Sequence, residues 1–471
     1  MKTEADSLSA PVSAMRPAWD VIEPLVGGTL AMRAAGKRLL PKQPREDEED
    51  YKYRLSVSTL FPAYTRTVSV MAAKPFSTSL TLQEDVPPQI IEWAQDIDRE
   101  GASLHRFASE MFRESFYGLA GILVEAPKLP DTGGRTMTRA EQAAAGVRPY
   151  FVRVMHDQIL GWRTGIVGGV RVLTQLRIRE AATVPDGDYG EKDVVRVRVL
   201  EPGRFRVMEK QAGVSGQESW AEVDSGLTGL PQITFQPVYG QKLGFMRGKP
   251  PLEDLAHMNV QHWQDSSDQA DGVRYSRKRM VVAIGVTEDS PMIAGSAYIM
   301  QLPPGADMKV IQGSADSVTV GRDELNALEQ QMVQAGAELL VKKPGQRSAT
   351  ESENDAEGNK SDLQCMAENF EDSLDAALQM MADYANLGSG GHVSLYKDFG
   401  AATLSDASAQ LLVGMAQAGQ ISDETLIEEM KRRGVLSPDI TAAAEAERIE
   451  AQGPALGTIE DPEEVPEGGE A

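Results

Sequence analysis

The chain is almost without cysteine. Of its 471 residues only Cys365 is one, so no disulfide can close within it, which suits a reducing cytoplasm. Cys365 falls on the apolar side of an expected helix, where a free thiol serves as a small buried hydrophobe. Long hydrophobic runs are missing too: no stretch reaches the roughly eighteen apolar residues that a membrane span needs. The start, Met1 to Ala10, lacks the charged-then-apolar pattern of a secretory signal. A soluble intracellular product is the expectation. Basic residues are scarce beside acidic ones, 47 against 70, for a net charge of −23. Such a chain is not expected to wrap nucleic acid tightly, because tight binding neutralises phosphates and releases counterions. It could still surround a nucleic acid without gripping it, since like charge keeps a polyanion off the walls.

The usual signatures of catalysis are also absent. No G-x-x-x-x-G-K-[S/T] phosphate loop and no G-x-G-x-x-G after a strand occurs. Lys343-Pro344-Gly345-Gln346-Arg347-Ser348 comes nearest, but it has the wrong spacing and follows no strand. The histidines His105, His156, His257, His262 and His392 make no metal-ligand pattern with cysteine. His257 and His262, five apart on one helix, do not share a face. His156-Asp157 looks like half a catalytic dyad, although a turn after a strand accounts for both. There is no G-x-S-x-G elbow. Glu351, Glu353, Asp355 and Glu357 alternate in a polar stretch; a two-metal nuclease site is the minority reading and a solvated helix start the favoured one. No enzyme, no cofactor and no metal are expected.

What is present is mixed. The first 44 residues blend Pro, Gly and small side chains, with a short helix expected near Trp19–Leu30 and the first dozen residues loose. Glu46-Asp47-Glu48-Glu49-Asp50 is an acidic opening suited to a helix start, bent later at Pro62. Ile90 to Ile97 makes a short helix, and Ser103 caps another whose Leu104, Phe107 and Met111 face a core. Gly121-Ile122-Leu123-Val124 is a buried strand. From about Arg148 to Val238 the hydrophobic period becomes two, as in Val195-Arg196-Val197-Arg198-Val199, which marks antiparallel strands with arginines on a solvated face. The fold class is α+β.

A helix is expected from about Leu252 to Arg277, with Glu253 and Asp254 at its positive end and Arg274 and Arg277 at its negative end. Its middle, Gln264-Asp265-Ser266-Ser267-Asp268-Gln269, is polar nearly all round, so it needs neighbours, which could be copies of itself. A β-containing excursion follows. Then comes the stretch that organises the chain, Gly321 to Leu387. Leu325, Leu328, Met332, Ala335 and Leu339 recur at helical spacing, and so do Leu363, Met366, Phe370, Leu374, Ala377, Met381 and Tyr384. Ser361 with Gln364 forms a capping box, and Gly388 supplies a stop. Between the two halves lies a polar break carrying Lys342, Lys343, Gln346 and Arg347. Three small helices are expected after residue 400, with Ser405, Ser422 and Ser437 as starts, before an acidic tail expected to be disordered.

Taken in order, these segments resemble the portal proteins of tailed bacteriophages, in particular a subgroup known only as a phage domain of unknown function. The residues that carry the likeness are Tyr64-Thr65-Arg66-Thr67-Val68 with Lys74-Pro75, then Gly118 to Val124. Arg148-Pro149-Tyr150 and Gly161-Trp162-Arg163 follow. Pro250-Pro251-Leu252-Glu253-Asp254-Leu255-Ala256 with Asn259, Ala335 to Leu340, and Ala349-Thr350-Glu351 complete it. Order and spacing matter more than any one motif. The family's usual Glu-Thr-Ala segment is here Ser348-Ala349-Thr350-Glu351-Ser352, a departure that bears on the loop boundary.

The resemblance implies a portal-type fold. Its parts would be an N-terminal arm (1–44), an α/β wing (45–250), stem helices (252–277 and 322–341) and a small clip (278–321). A tunnel-loop region (342–360), a long helix (361–388), a helical crown (389–450) and the acidic tail (451–471) would follow. It further implies a homo-oligomeric ring, typically of twelve copies, at a unique capsid vertex of a virion assembled in the host bacterial cytoplasm. Double-stranded DNA would pass through its channel without sequence specificity. Its partners would be the terminase large subunit, the major capsid protein and head-completion or tail adaptor proteins, with no membrane. Lys342, Lys343, Gln346 and Arg347 are the tunnel-loop candidates. Leu255, Trp263, Leu325, Leu328 and Met332 are the candidate stem interface. The alternative is another oligomeric virion component, such as a head–tail adaptor or minor capsid protein.

Overall fold

A computed structural model describes residues 4–127, 146–212, 218–277, 280–284, 307–311, 315–340 and 360–397, with isolated positions beyond. The chain divides into two compact units, Met1–Lys397 and Asp398–Ala471. The first is α+β, as the sequence leads one to expect. In the second, the amide of Leu426 donates to the carbonyl of Ser422, the bond of an opening helical turn at an expected start. The tunnel-loop candidates Lys342, Lys343, Gln346 and Arg347, the acids Glu351 to Glu357, and the starts at Ser405 and Ser437 lie outside the described residues.

The amino end is ordered earlier than composition suggests. Helix α1 runs Ala10–Val26 and α2 Gly28–Ala35, in place of one short helix and a loose leader. Ahead of α1, the Ser9 amide donates to the Leu160 carbonyl, Arg177 donates to the Ala5 carbonyl, and Lys210 pairs with Asp6. Ala5 and Leu8 cover Leu160 and Val197. The leader holds its place because the sheet beneath offers both apolar area and donors.

Helices α3 (Glu48–Val57), α4 (Ala63–Ala73), α5 (Pro88–Trp93) and α6 (Leu104–Glu114) follow. Asp47 caps α3 by accepting from the amides of Glu49 and Asp50, and Ser103 caps α6 by accepting from Arg106. Strand β1 (Thr81–Leu82) lies between α4 and α5. Strands β2 (Leu119–Glu125) and β3 (Tyr150–Val154) come next, and β9 (Phe235–Tyr239) joins them in a three-stranded antiparallel sheet ordered β3-β2-β9. β2, the central strand, is buried on both faces through Val124.

A second sheet is a five-stranded meander of β4 (Ile159–Val167), β5 (Val170–Asp186), β6 (Gly190–Glu201), β7 (Arg204–Ala212) and β8 (Glu218–Leu227), in chain order. Its near end meets the first sheet and α1 in one core containing Val12, Trp19, Leu119, Leu123, Leu176, Ile178 and Phe235. Its far end projects: Ile166, Val167 and Val170 are exposed around Gly168-Gly169, whose positive φ angles the hairpin turn requires. The short pair β10 (Gln241–Gly244) and β11 (Arg247–Lys249) then leads into a long helix.

The alternating arginines do not form the solvated basic face that their spacing suggests. Arg198 pairs with Glu125 and Glu180, Arg196 with Glu209, and Arg206 with Glu201. All three are half-buried, and the alternation hides the fact because an ion-paired arginine and a solvated one look alike in sequence.

Helix α7 spans Glu253–Arg277, and β12 (Met280–Ile284) pairs antiparallel with β13 (Asp307–Ile311). Helix α8 then runs Ala315–Ala337 with a further 3-10 turn at Glu338–Leu340. It begins several residues before the expected boundary at 322, which shortens the excursion. Helix α9, Asp362–Ala385, carries the capping box: Ser361 accepts from the Gln364 amide and the Gln364 side chain accepts from the Ser361 amide. The left-handed residue that ends it is Asn386, two positions before the expected Gly388. Cys365 is exposed on α9 and not buried; its neighbour Met366 takes the core position instead. Strand β14 (Val393–Ser394) closes on β1.

Candidate functional site: an antiparallel helix pair and its anchor

Helices α7 and α8 lie side by side and antiparallel. His262 meets Glu329 at 3.1 Å, and farther along α7 the Gln269 amide donates to the Val318 carbonyl at 2.6 Å, so partners descend on α8 as residues ascend on α7. Gly336 sits against Thr67 of α4, where an added Cβ would come within 2.9 Å of the threonine methyl. A glycine here lets α8 approach the body closely.

The candidate interface residues are occupied from within the chain. Leu255, Trp263, Leu328 and Met332 are all buried in a single protomer, with Trp263 at 0% exposure, and Leu325 is partly buried. Within one protomer Leu255, Trp263, Leu328 and Met332 therefore pack against their own chain, and Leu325 alone of the five keeps appreciable open area. Among the described residues of α8, the large apolar side chains left open are Val320 and Val333, at 64% and 73% exposure. At about 100° per residue they flank the buried stripe on opposite sides.

The polar middle of α7 also finds its neighbours at home. Arg54 of α3 is 3% exposed and reaches across with three hydrogen-bonding nitrogens. Its Nε and Nη2 hold the two carboxylate oxygens of Glu46 at 2.7 and 2.9 Å. Nη1 approaches Asp268 at 3.3 Å and Ser267 Oγ at 3.4 Å, and Nη2 also donates to the Pro41 carbonyl. Ser267 and Ser58 share a 2.9 Å hydroxyl contact; Gln264 donates to the Leu39 carbonyl and Gln43 to Asp268. The hydrogen bonds from Arg54 hold the Glu46 carboxyl below its usual range, and the same carboxylate raises the guanidinium. A fork-to-fork pair of this kind fixes direction as well as distance. Nearer the start of α7, Asn259 is fully buried. Its Oδ1 accepts from the Tyr64 amide and its Nδ2 donates to the Phe61 carbonyl, which satisfies the break before α4.

Of the other candidates, His257 is exposed and His262 buried, so they share no face, as expected. Among the described residues no group of His, Cys, Asp or Glu could hold a metal ion. His156 opens a 3-10 turn after β3. No helix in the described residues is long and apolar enough to cross a membrane. The sequence reading missed Arg54 and Glu46. The signal available was Glu46-Asp47-Glu48, read only as a helix start, ahead of Arg54, the seventh residue of α3 and the one arginine in it.

With this geometry in view, comparison with known proteins adds a match over these helices. Residues 251–385 match the model of a Domain of unknown function (DUF4055). That segment runs from the start of α7 to the end of α9. No curated protein matches the chain. Among solved structures, a chain of the virion of a native gene transfer agent particle is similar at 13% identity and TM-score 0.38, covering 87% of this chain and 99% of that one. A chain from the neck of the empty particle, computed with C6 symmetry, is similar at 14% identity and TM-score 0.40, covering 79% and 90%. One from the neck of the native particle, computed with C12 symmetry, gives 13%, 0.38, 79% and 89%.

Proposed function

We propose that this chain is a portal subunit: copies of it close into a ring of roughly twelve at one vertex of a phage-type capsid, head to tail about a single axis. The observation that carries the reading is the pair α7 and α8, two long antiparallel helices with the antiparallel strands β12 and β13 between them in the chain and α9 after them. The sequence resemblance assigns this order to stem, clip and long helix. In that ring the stem would surround the axis, double-stranded DNA would enter and leave along it, and the wing would face the capsid protein. Terminase and then head-completion or tail adaptors would dock in turn at the clip end.

Electrostatics favours a conduit over a clamp. A net charge of −23 per chain repels duplex DNA, and a channel through which DNA must slide gains from the absence of tight phosphate contacts. Lys342, Lys343, Gln346 and Arg347 would supply the transient, sequence-independent touches to the backbone. No catalytic role is assigned. The test is the solution mass of the purified full-length chain, alone and co-expressed with its capsid protein. A closed assembly near twelve copies supports the reading. A chain monomeric in both settings overturns it and leaves another virion component, an adaptor or minor capsid protein, as the alternative.

A further inference from the structure

The imidazole of His156 is held where only a doubly protonated ring satisfies its surroundings. It is 6% exposed. Nδ1 lies 2.6 Å from Oε1 of Glu114 at the end of α6, and Nε2 lies 3.2 Å from Oε1 of Glu23 near the end of α1. An ionised carboxylate only accepts, so both ring nitrogens must donate, which a neutral imidazole cannot do. Tyr117 stacks flat on the ring, centroids 3.7 Å apart and planes 6° from parallel; Trp19 of α1 meets it edge-on at 5.2 Å. The stacked Tyr117 face favours a cation. Trp19 in turn donates its indole N–H to the Tyr117 carbonyl at 2.7 Å.

We propose that His156 is a proton-operated pin that fastens helix α1 to the wing, bridging Glu114 on the wing side to Glu23 on the α1 side, and that α1 loosens when the proton leaves. The charged groups around the ring agree with this. Glu23 faces it from α1, Glu114 from α6, and Asp157 adjoins it in the same turn. From β2 and β5, packed beneath the turn, Glu125 and Glu180 are both taken up by Arg198. No cation competes for Glu114 or Glu23 among the ion pairs of the described residues. Burial alone lowers the basicity of the ring, and the two carboxylates outweigh it, so the net shift is upward from 6.5. A group raised in the folded state contributes stability that is complete below its unfolded value and is lost as pH rises through the folded one. Once neutral, the ring keeps one donor at most. The shorter, better buried bond is to Glu114, so the link to half-exposed Glu23 is the one given up.

The experiment compares the full-length protein with Glu23→Gln, a change at a partly exposed side chain that removes the charge and keeps the shape. Urea stability of both is followed from about pH 5.5 to 9, together with tryptophan emission, which the imidazolium beside Trp19 quenches. The pin predicts a wild-type advantage that is present at low pH and vanishes as pH rises, with a gain in emission at a midpoint above about 6.5. Glu23→Gln should move that midpoint down. A stability gap that does not change with pH, or an emission midpoint at or below the free-histidine value, or one that Glu23→Gln leaves in place, would overturn the proposal.

Discussion

Arg54 shows how much one side chain settles. It is buried against Glu46 and touches Ser267 and Asp268 in the stretch of α7 that has the least apolar surface. Removing one member of such a pair strands the other, at about 3–5 kcal/mol. Arg54→Ala is therefore expected to lower urea stability by that order. The pH dependence has a definite sign. Glu46 has a lowered pKa, so its contribution is present above the unfolded value of about 4.5 and disappears as pH falls through the folded one. The stability gap between wild type and Glu46→Gln should shrink on acidification below pH 4.5; a gap that widened would contradict the assignment. Glycine acts at the same scale. Gly118 adopts φ 98°, and the Gly118 backbone lies against the position where a Gly248 side chain would stand. Gly248→Ala should cost about 1–3 kcal/mol or more, because backbone cannot step aside as a side chain can.

At the scale of elements, period and caps were readable and partners were not. The Ser361–Gln364 box, the Ser103 cap, the two-residue alternation of β6 and the helical spacing in α9 each reflect local physics, and each is found where the residues put it. Ser361→Ala should therefore cost about 0.5–2 kcal/mol of stability without altering assembly. What failed was inference about what an element meets. The apolar stripe Leu328–Met332 and the indole of Trp263 have a spacing equally suited to an intermolecular seam and to an internal one. Only the positions of α3, α4 and the N-terminal block decide between them. The arginines of β6 failed for the same reason, and the leader at residues 4–9 because its order depends on a sheet far away in sequence. Burial of these side chains within the protomer sets the mutational prediction. Trp263→Ala is expected to destabilise the protomer itself by about 3–5 kcal/mol, seen as a loss of cooperative unfolding. Val333→Glu, on an open flank of α8, should leave the protomer's melting curve in place and reduce assembly. Assembly undisturbed by Val333→Glu would remove that flank from the interface.

For the whole molecule, an acidic chain carries the α7–α8 pair firmly tied to its own body. The tie runs through Arg54, Asn259, the α7–α8 contacts and Gly336, and so the orientation of the pair is set within the single chain. In the ring reading that preorganisation lowers what association must pay in lost freedom. The central claim is that copies close around an axis. Negative-stain projection images of the purified full-length protein, alone and with its capsid protein, test it most directly. The account predicts round views with a stain-filled hole broad enough to admit a duplex. Particles with no axial hole, or single protomers persisting in both samples, would contradict it.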